Sequence, residues 1–368
     1  MAQRGPIVVY GATGFTGALI AHELRRRGLE MVLAGRSAEK LAQLADALGG
    51  DVTTRAVALD DDAGLRDLLS DAAAVIACAG PFVQHGEPVV RAAAATGTHY
   101  VDTTGEQPFM QLVRDRYDAP ARRSGAALVP AMGFDYLPGD LLAHLTAQGV
   151  EPLRELVLAY APKGVRPTRG TLRSALGMVA EPSVVYEDGG WRAAPLRVPR
   201  ASFAFPQPVG DQPVMPYPSG ELLTVPRHVQ TRAVRSLITL ETFAGTPKAA
   251  PLAPLLMPGM VLALRSPLKR ALEPLLARFP EGPSPESRAR VSFTIVAEAH
   301  GKDGRTRRGV ATGGDVYALT AFTAVHGAAL MAQEAYDHAG FLAPAEAYDA
   351  KLFLDALAAH GVAYDVAA

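Results

Sequence analysis

The chain has 368 residues, of which 49% are hydrophobic and 20% are charged, and its formal net charge is -1. This length predicts two domains rather than one core, and the near-zero net charge means that no strong overall field draws the chain to nucleic acid or to an acidic membrane. The single cysteine, Cys78, excludes an internal disulfide framework, so we expect a reducing, cytoplasmic location.

Short apolar runs alternate with helical patterns through the first third of the chain. The runs predict six strands, near residues 7–10, 31–34, 53–59, 74–79, 99–102 and 126–130. Strands that alternate with helices form parallel sheets with right-handed crossovers. We therefore predict an α/β fold that opens with a Rossmann domain, a doubly wound parallel sheet, over residues 1–138.

The pattern of residue types changes after residue 139. Proline-rich short segments follow, and residues 290–300 and 306–312 predict two antiparallel strands joined by a turn at 301–304. These patterns indicate an inserted α+β substrate domain with a mixed or antiparallel sheet over residues 139–314. A long helix is predicted at 316–339, and we expect the C-terminal helices of residues 315–368 to pack back on the Rossmann domain.

A glycine-rich turn joins the first predicted strand to the first helix. A first glycine permits a sharp turn, a second lets backbone approach a pyrophosphate, and a third lets helix and strand pack closely. The spacing is G-x-x-G-x-x-G rather than G-x-G-x-x-G, and a purely structural turn is the alternative. The predicted cofactor-binding residues of this turn are Gly11, Thr13, Gly14, Phe15, Thr16 and Gly17.

The end of the second predicted strand indicates which nicotinamide cofactor is bound. NAD sites place a carboxylate there for the ribose hydroxyl, whereas NADP sites place an arginine near the 2′-phosphate. Here Arg36 and Ser37 follow the strand, with no acid before Glu39, so we predict NADP(H). A solvated surface arginine is the alternative. Further cofactor contacts are expected at the ends of strands three and four, from Asp60, Ala79, Gly80 and Pro81.

Several segments together resemble the saccharopine dehydrogenase-like oxidoreductase superfamily, and within it the trans-acting enoyl reductases. The matching segments are GATGFTG at 11–17, LAGRS at 33–37, AGPF at 79–82, HGEPVVRAAAATGTHYVDTTGE at 85–106, GFDYLPGDL at 133–141 and RGTLRSA at 169–175. The resemblance implies a Rossmann domain, an inserted substrate domain and nicotinamide chemistry. The chain departs from the family at His85, where tyrosine is usual, and at residues 136–140, where Ser-Val-Pro-Ser-Asp is frequent.

The sequence leaves the proton donor open. No tyrosine is followed by lysine four residues later, which excludes the Tyr-x-x-x-Lys relay of short-chain dehydrogenases. Cys78 is predicted to be a small residue on a buried strand rather than a nucleophile. No metal-ligand spacing is present, so no metal is expected. The weak catalytic candidates, each with a structural alternative, are His85, Glu106, Asp135 and Tyr136.

These features predict an NADPH-dependent enoyl reductase that acts on an acyl or lipid-like small molecule. A C–N (imine) oxidoreductase and a non-catalytic nucleotide-binding or lipid-associated protein are the alternatives. The apolar segment 252–279, which carries four basic residues, would form a substrate lid, a core helix or a membrane contact. No nucleic-acid partner is expected, and peripheral membrane contact and a homodimer are left open.

Overall fold

The computed structural model describes residues 4–180, 183–195, 201–244 and 279–367. The chain divides into two units. The first contains residues 1–137 and 317–348, and the second contains residues 138–316 and 349–368.

Fully buried strands form the centre of the sheet in the first unit. β1, β4 and β5 are buried at every position, as expected for parallel strands covered on both faces. Seven strands pair in the order β15-β6-β5-β4-β1-β2-β3, and all the pairs are parallel. The strands are β1 (Ile7–Tyr10), β2 (Met31–Gly35), β3 (Thr53–Ala56), β4 (Ala74–Ala77), β5 (His99–Asp102), β6 (Ala127–Val129) and β15 (Gly340–Phe341).

The strand order confirms the predicted doubly wound Rossmann sheet. The chain passes from β1 outward to β2 and β3, and then returns to place β4, β5 and β6 on the other side of β1. In such sheets ligands bind at the carboxyl ends of the strands, where the winding direction reverses. In this unit that point lies between β1 and β4, and it positions the candidate site.

Helices cover this sheet, and local capping residues set their ends. Ser37 and Asp61 accept backbone N–H groups at the starts of α2 and α3, while Gly97 and Gly125 end α5 and α6 in the left-handed conformation. The helices are α1 (Phe15–Arg26), α2 (Ala38–Ala47), α3 (Asp62–Ser70), α4 (Phe82–His85), α5 (Glu87–Thr96), α6 (Gln107–Ser124), α12 (Val316–Met331) and α13 (Pro344–Ala347).

A mixed sheet forms the second unit and confirms the predicted α+β architecture. Its main path runs β10-β11-β12-β7-β13-β14-β16, with β8 paired to β12 and β9. The β12–β7 pair is parallel and the other pairs are antiparallel. The strands are β7 (Leu153–Lys163), β8 (Val184–Glu187), β9 (Gly190–Ala193), β10 (Ala201–Ala204), β11 (Asp211–Pro216), β12 (Val234–Thr239), β13 (Ser292–Gly301), β14 (Thr306–Gly314) and β16 (Ala363–Val366).

The β13–β14 hairpin bears out the strongest antiparallel pattern in the sequence. Its strands pair from Ser292 with Gly314 to His300 with Thr306, and Gly304 adopts a positive φ of 86° in the turn. The helices of this unit are α7 (Leu137–Ala147), α8 (Arg169–Ala180), α9 (Glu221–His228), α10 (Leu240–Ala244), α11 (Pro285–Arg288) and α14 (Ala350–Ala358).

The C-terminal part of the chain differs from the prediction. Residues 317–348 belong to the first unit, but residues 349–368 belong to the second. The reason is that β16 pairs with β14, which extends the second sheet. The helix predicted at 316–339 ends at Met331, and β15 then adds a strand beside β6 in the first sheet.

The apolar segment predicted as a lid, core helix or membrane contact lies outside the described residues, apart from its last residue, Phe279. Among the helices that the structure describes, none combines the length and apolar character needed to cross a bilayer.

Candidate functional site

The glycine turn after β1 places backbone where a side chain would not fit. Gly11 adopts a positive φ of 84°, which favours glycine. A Cβ added to Gly17 would lie 2.8 Å from the Ala12 Cα and closer still to the Gly11 oxygen. Both residues are therefore required by the geometry that brings α1 close to β1, while Thr13 and Gly14 remain exposed.

The first turn of α1 lacks the side-chain cap found on the two helices that follow it. Gly14 stands at its N-cap with no side-chain acceptor, and no acidic residue lies in the first turn. By contrast, Ser37 and Asp61 cap α2 and α3. An uncapped helix N-terminus presents N–H donors and the positive end of the helix dipole, a combination that suits a phosphate group.

Aromatic packing supports this turn from within the first unit. Phe15 and Thr16 are half-buried at the start of α1. The Phe15 ring packs edge-to-face on Tyr317, with ring centroids 5.3 Å apart. The contact ties the glycine turn to the start of α12.

Two opposite charges lie near the Tyr10 hydroxyl, beyond the ends of β2 and β3. Tyr10 donates to the Val57 carbonyl oxygen at 2.9 Å. Burial raises the pKa of Tyr10 to about 12, while Arg36 acts to lower it and Asp60 to raise it. Arg36 and Asp60 are both exposed, so they remain available to a ligand at this edge of the sheet. Ser37 accepts the Lys40 N–H at 3.3 Å, so its hydroxyl is used as a helix cap.

The loop after β4 is held by a carboxylate from farther along the chain. Glu106 is buried, and its two oxygens accept the backbone N–H groups of Phe82 and Val83, each at 2.8 Å. These donors begin the short helix α4, directly after the predicted cofactor residues Ala79, Gly80 and Pro81. Glu106 therefore fixes the end of that loop.

Asp102 connects the ends of β5 and β6. Its Oδ1 accepts the N–H of Thr104 at 2.9 Å and that of Ala131 at 2.8 Å, and its Oδ2 accepts the Tyr100 hydroxyl at 2.8 Å. The side chain is fully buried, and this burial raises the pKa of the carboxyl group to about 7. Ala131 adopts a positive φ of 62°, so the carboxylate stabilises a backbone conformation that is uncommon for alanine.

The four weak catalytic candidates have different surroundings. Tyr136 is buried and donates to the Gly105 carbonyl oxygen at 2.6 Å. Glu106 serves as the clamp described above, whereas His85 is exposed at the end of α4. Asp135 is also exposed, yet the protein atoms around its carboxyl group reduce its hydration and raise its pKa to about 6.

Cys78 does not lie on a strand, contrary to the prediction. β4 ends at Ala77, and Cys78 follows it as a half-buried residue. Burial raises the pKa of its thiol far above the usual range, which keeps the thiol protonated. This environment does not suit a nucleophile.

The glycine turn and the segments that follow β2, β3, β4 and β5 lie at one edge of the first sheet, because these strands are parallel neighbours. Sequence reasoning left a structural role open for Glu106, but it identified neither Asp102 nor Glu106 as a backbone anchor. The local signals were only an acidic residue at the end of β5 and another one shortly after that strand. Among the described residues, no group of three or more histidine, cysteine or acidic side chains could hold a metal.

Comparison with known proteins supports a specific domain family. The family described as saccharopine dehydrogenase NADP binding domain matches residues 7–132. A trans-acting enoyl reductase of Mycobacterium ulcerans is 38% identical over 149 residues, 39% of this chain and 36% of that protein. A saccharopine dehydrogenase-like oxidoreductase of Mus musculus is 30% identical over 192 residues, 46% of this chain and 45% of that protein. The matches thus span less than half the length of these relatives.

The fold likeness extends farther than the sequence likeness. The solved structure of saccharopine dehydrogenase (L-Glu forming) from Saccharomyces cerevisiae matches with a TM-score of 0.63 at 15% identity, covering 99% of this chain and 100% of that chain. At this identity the likeness concerns the fold alone. Residues 7–132 match the saccharopine dehydrogenase NADP binding domain, and the whole chain shares the fold of the yeast structure.

Proposed function

We propose that this protein is an NADPH-dependent reductase that transfers hydride to an activated C=C bond of an acyl or lipid-like substrate. The observation that carries the proposal is the 38% identity to a trans-acting enoyl reductase over 149 residues. Hydride transfer requires that the substrate, which accepts the electrons, is held beside the nicotinamide ring. We therefore expect residues outside the NADP-binding domain to select the substrate.

The described residues fit NADPH. The close approach at Gly17 and the uncapped start of α1 suit the pyrophosphate, and the exposed Arg36 suits the 2′-phosphate. Asp60 would face the adenosine, and Ser37 would add a hydroxyl if its weak cap bond at 3.3 Å opens. The residues we assign to the cofactor are Gly11, Thr13, Gly14, Phe15, Thr16, Gly17, Arg36, Ser37, Asp60, Ala79, Gly80 and Pro81.

Enoyl reduction needs a proton as well as a hydride. NADPH, when held by the residues assigned to the cofactor, would supply the hydride for the β carbon. The π electrons move to the α carbon, which takes a proton, and the saturated acyl product results. We assign this proton to Asp135, because the residue is exposed and the reduced hydration of its carboxyl group raises the pKa to about 6, which keeps part of the carboxyl groups protonated near neutrality. Solvent then returns a proton to Asp135.

The other three candidates are less suited to proton transfer. Both oxygens of Glu106 accept backbone N–H groups, and the Tyr136 hydroxyl donates to a carbonyl oxygen. His85 has no described hydrogen bond that would orient its ring. We therefore assign Glu106 and Tyr136 to positioning.

A panel of enoyl thioesters, imines and ketones tests the reaction class. We expect NADPH oxidation, followed by absorbance at the nicotinamide band, with the enoyl thioesters and little with the others. Turnover of imines alone would replace the proposal with C–N (imine) chemistry. Tight NADPH binding with no turnover, together with recovery in a membrane fraction, would favour the non-catalytic alternative.

The pH profile of an Asp135→Asn variant tests the proton donor. Since the donor must be protonated, kcat/KM of the wild type should fall as pH rises above about 6. The variant should lose roughly 100-fold or more in kcat and lose this pH dependence, as expected for a missing general acid. Asp115→Asn, which changes an exposed acid on α6, is the control. An unchanged profile in Asp135→Asn would reject the assignment.

A further inference from the structure

Arg288, the last residue of α11 in the second unit, has a guanidinium group whose hydrogen-bonding capacity is not met. Its side chain is only 15% exposed, and Nε and Nη1 are buried without a hydrogen-bond partner among the described residues. The nearest acid, Asp315, places Oδ2 3.7 Å from Nη1, which is too far for a hydrogen bond. Buried polar groups nearly always have partners, so this pattern indicates a missing acceptor.

Neighbouring arginines do have acceptors. Arg290 donates from Nε to the Glu286 carbonyl oxygen at 3.1 Å, and Arg169 donates to the Phe279 carbonyl oxygen at 2.7 and 3.0 Å. Arg290 is also exposed, so water can reach it. Both of these arginines therefore have an acceptor within hydrogen-bond distance, which Nε and Nη1 of Arg288 lack.

The segments around Arg288 carry an excess of positive charge. Lys163, at the end of β7, pairs with Ser292, which in turn pairs with Gly314 at the end of β14. We name this group of segments, residues 163–173, 279–292 and 314–315, the basic edge. Its basic residues are Lys163, Arg166, Arg169, Arg173, Arg288 and Arg290, and its acidic residues are Glu281, Glu286 and Asp315. Such an excess attracts anions and raises their local concentration.

We propose that Arg288 binds an anionic group of the substrate, a phosphate or a carboxylate, through charge-assisted hydrogen bonds from its free donors. Guanidinium groups suit both anions because their planar donor arrangement matches paired oxygens. This inference rests on the proposed function and narrows its substrate class to acyl compounds that carry a negative charge. Asp315 orients the guanidinium and does not supply the missing acceptor.

Direct binding tests the site without reference to turnover. The full-length protein, saturated with NADPH, is titrated by calorimetry with coenzyme A, as the phosphate probe, and with succinate, as the carboxylate probe. We expect at least one probe to bind the wild type, Arg288→Met to weaken it tenfold or more, and Arg288→Lys to weaken it at least threefold. Arg290→Met, which removes the same charge two residues away, should change binding less than threefold.

Three outcomes would overturn the inference. These are no binding of either probe to the wild type, equal weakening in the Arg288→Met and Arg290→Met variants, or a loss of NADPH affinity above threefold in Arg288→Met. The last outcome would assign Arg288 to the cofactor. Thermal unfolding of each variant shows that the fold is retained, and Arg288→Lys keeps the test decisive if Arg288→Met does not fold.

Kinetics then separate this inference from the proposed function. With crotonyl-coenzyme A we expect Arg288→Met to raise KM at least tenfold. With the crotonyl N-acetylcysteamine thioester, which has the same acyl group and no phosphate, KM should stay within threefold. Equal effects on both substrates would contradict the inference. Anion binding that depends on Arg288 with no turnover of any thioester would reject the enoyl reductase proposal and leave the anion site standing.

Discussion

Two turns at the same edge of the first sheet use their polar groups in opposite ways. The turn after β1 has no side-chain cap at the start of α1, and its glycines leave the backbone uncovered. The turn after β5 carries two buried acids, Asp102 and Glu106, whose oxygens accept four backbone N–H groups and one hydroxyl. The first turn is open to a ligand, whereas the second is occupied by the protein itself.

The difference shows that an acid near a site is not by itself a catalytic group. A carboxylate that already accepts several backbone N–H groups stabilises the loops, and removing it leaves buried donors without partners. A turn whose donors have no protein partner is the better place to look for binding. If this comparison is correct, substitutions at the second turn should lower stability first, and substitutions at the first turn should lower cofactor affinity first.

The largest effect is expected from Asp102→Ala. Two backbone N–H groups and the Tyr100 hydroxyl would lose their acceptor in a fully buried position. Because each unmet buried donor costs about 1 kcal/mol or more, the free energy of unfolding should fall by roughly 3 kcal/mol. Chemical denaturation measures the change. Asp102→Asn is the matched control, since its Oδ1 still accepts both N–H groups, and a similar loss in the two variants would contradict this account.

The wild type and the Asp102→Asn variant also differ in how the free energy of unfolding should depend on pH. Burial raises the pKa of Asp102 from 3.8 in the unfolded chain to about 7 in the folded protein. The folded state therefore holds its proton over a range where the unfolded state has lost it, so the free energy of unfolding falls as pH rises from about 4 to about 7. Asp102→Asn should show a smaller decline over that range. Parallel curves for the two proteins would show that Asp102 does not titrate as stated.

At the glycine turn, Gly17→Ala should mainly affect the cofactor. The added Cβ would lie within 2.8 Å of the Ala12 Cα, which forces α1 away from the turn. We expect NADPH affinity, measured by fluorescence titration, to fall about 100-fold, equivalent to about 2.7 kcal/mol, with overpacking costing about 1–3 kcal/mol of stability. Gly190→Ala is the control, because no atom lies within 4 Å of its added Cβ. Wild-type affinity in Gly17→Ala would remove the turn from the site.

Arg36→Met should change selectivity rather than overall binding. Loss of a guanidinium that pairs with the 2′-phosphate should weaken NADPH by about tenfold to 100-fold, or about 1.4–2.7 kcal/mol. NADH affinity should remain within threefold, because NADH has no 2′-phosphate. Arg66→Met on α3, an exposed arginine paired with Asp62, controls for general charge. Equal weakening of NADPH and NADH would reject the phosphate assignment.

The elements that the sequence predicted well are those with strong local signals. The continuous apolar runs of β1 and β4 and the glycine turn depend on residues within a few positions of one another. β15 has only two residues, and β16 pairs with β14 some fifty positions earlier, so neither has a periodic pattern that reveals its partner. Likewise, Glu106 is a buried anchor because it accepts the N–H groups of Phe82 and Val83, which lie well before it in the chain. The residues next to Glu106 in sequence do not indicate this contact.

Glu106→Gln is the smallest change and the sharpest test of the clamp. The glutamine Oε1 can still accept one of the two N–H groups, but its amide group would face the other donor, so one backbone N–H loses its acceptor. We expect a loss of about 1 kcal/mol in the free energy of unfolding. NADPH affinity should fall threefold to tenfold, because the loop that ends at Phe82 is less firmly held.

The kinetic signature distinguishes this positioning role from proton donation. Under the clamp, Glu106→Gln raises the Kd for NADPH while the pH profile of kcat keeps the shape set by Asp135. If Glu106 were the proton donor, kcat would instead fall by about 100-fold or more with NADPH affinity unchanged. In that case Glu106 would be a catalytic acid rather than a backbone anchor. The contrast between the open first turn and the occupied second turn would then be wrong at Glu106.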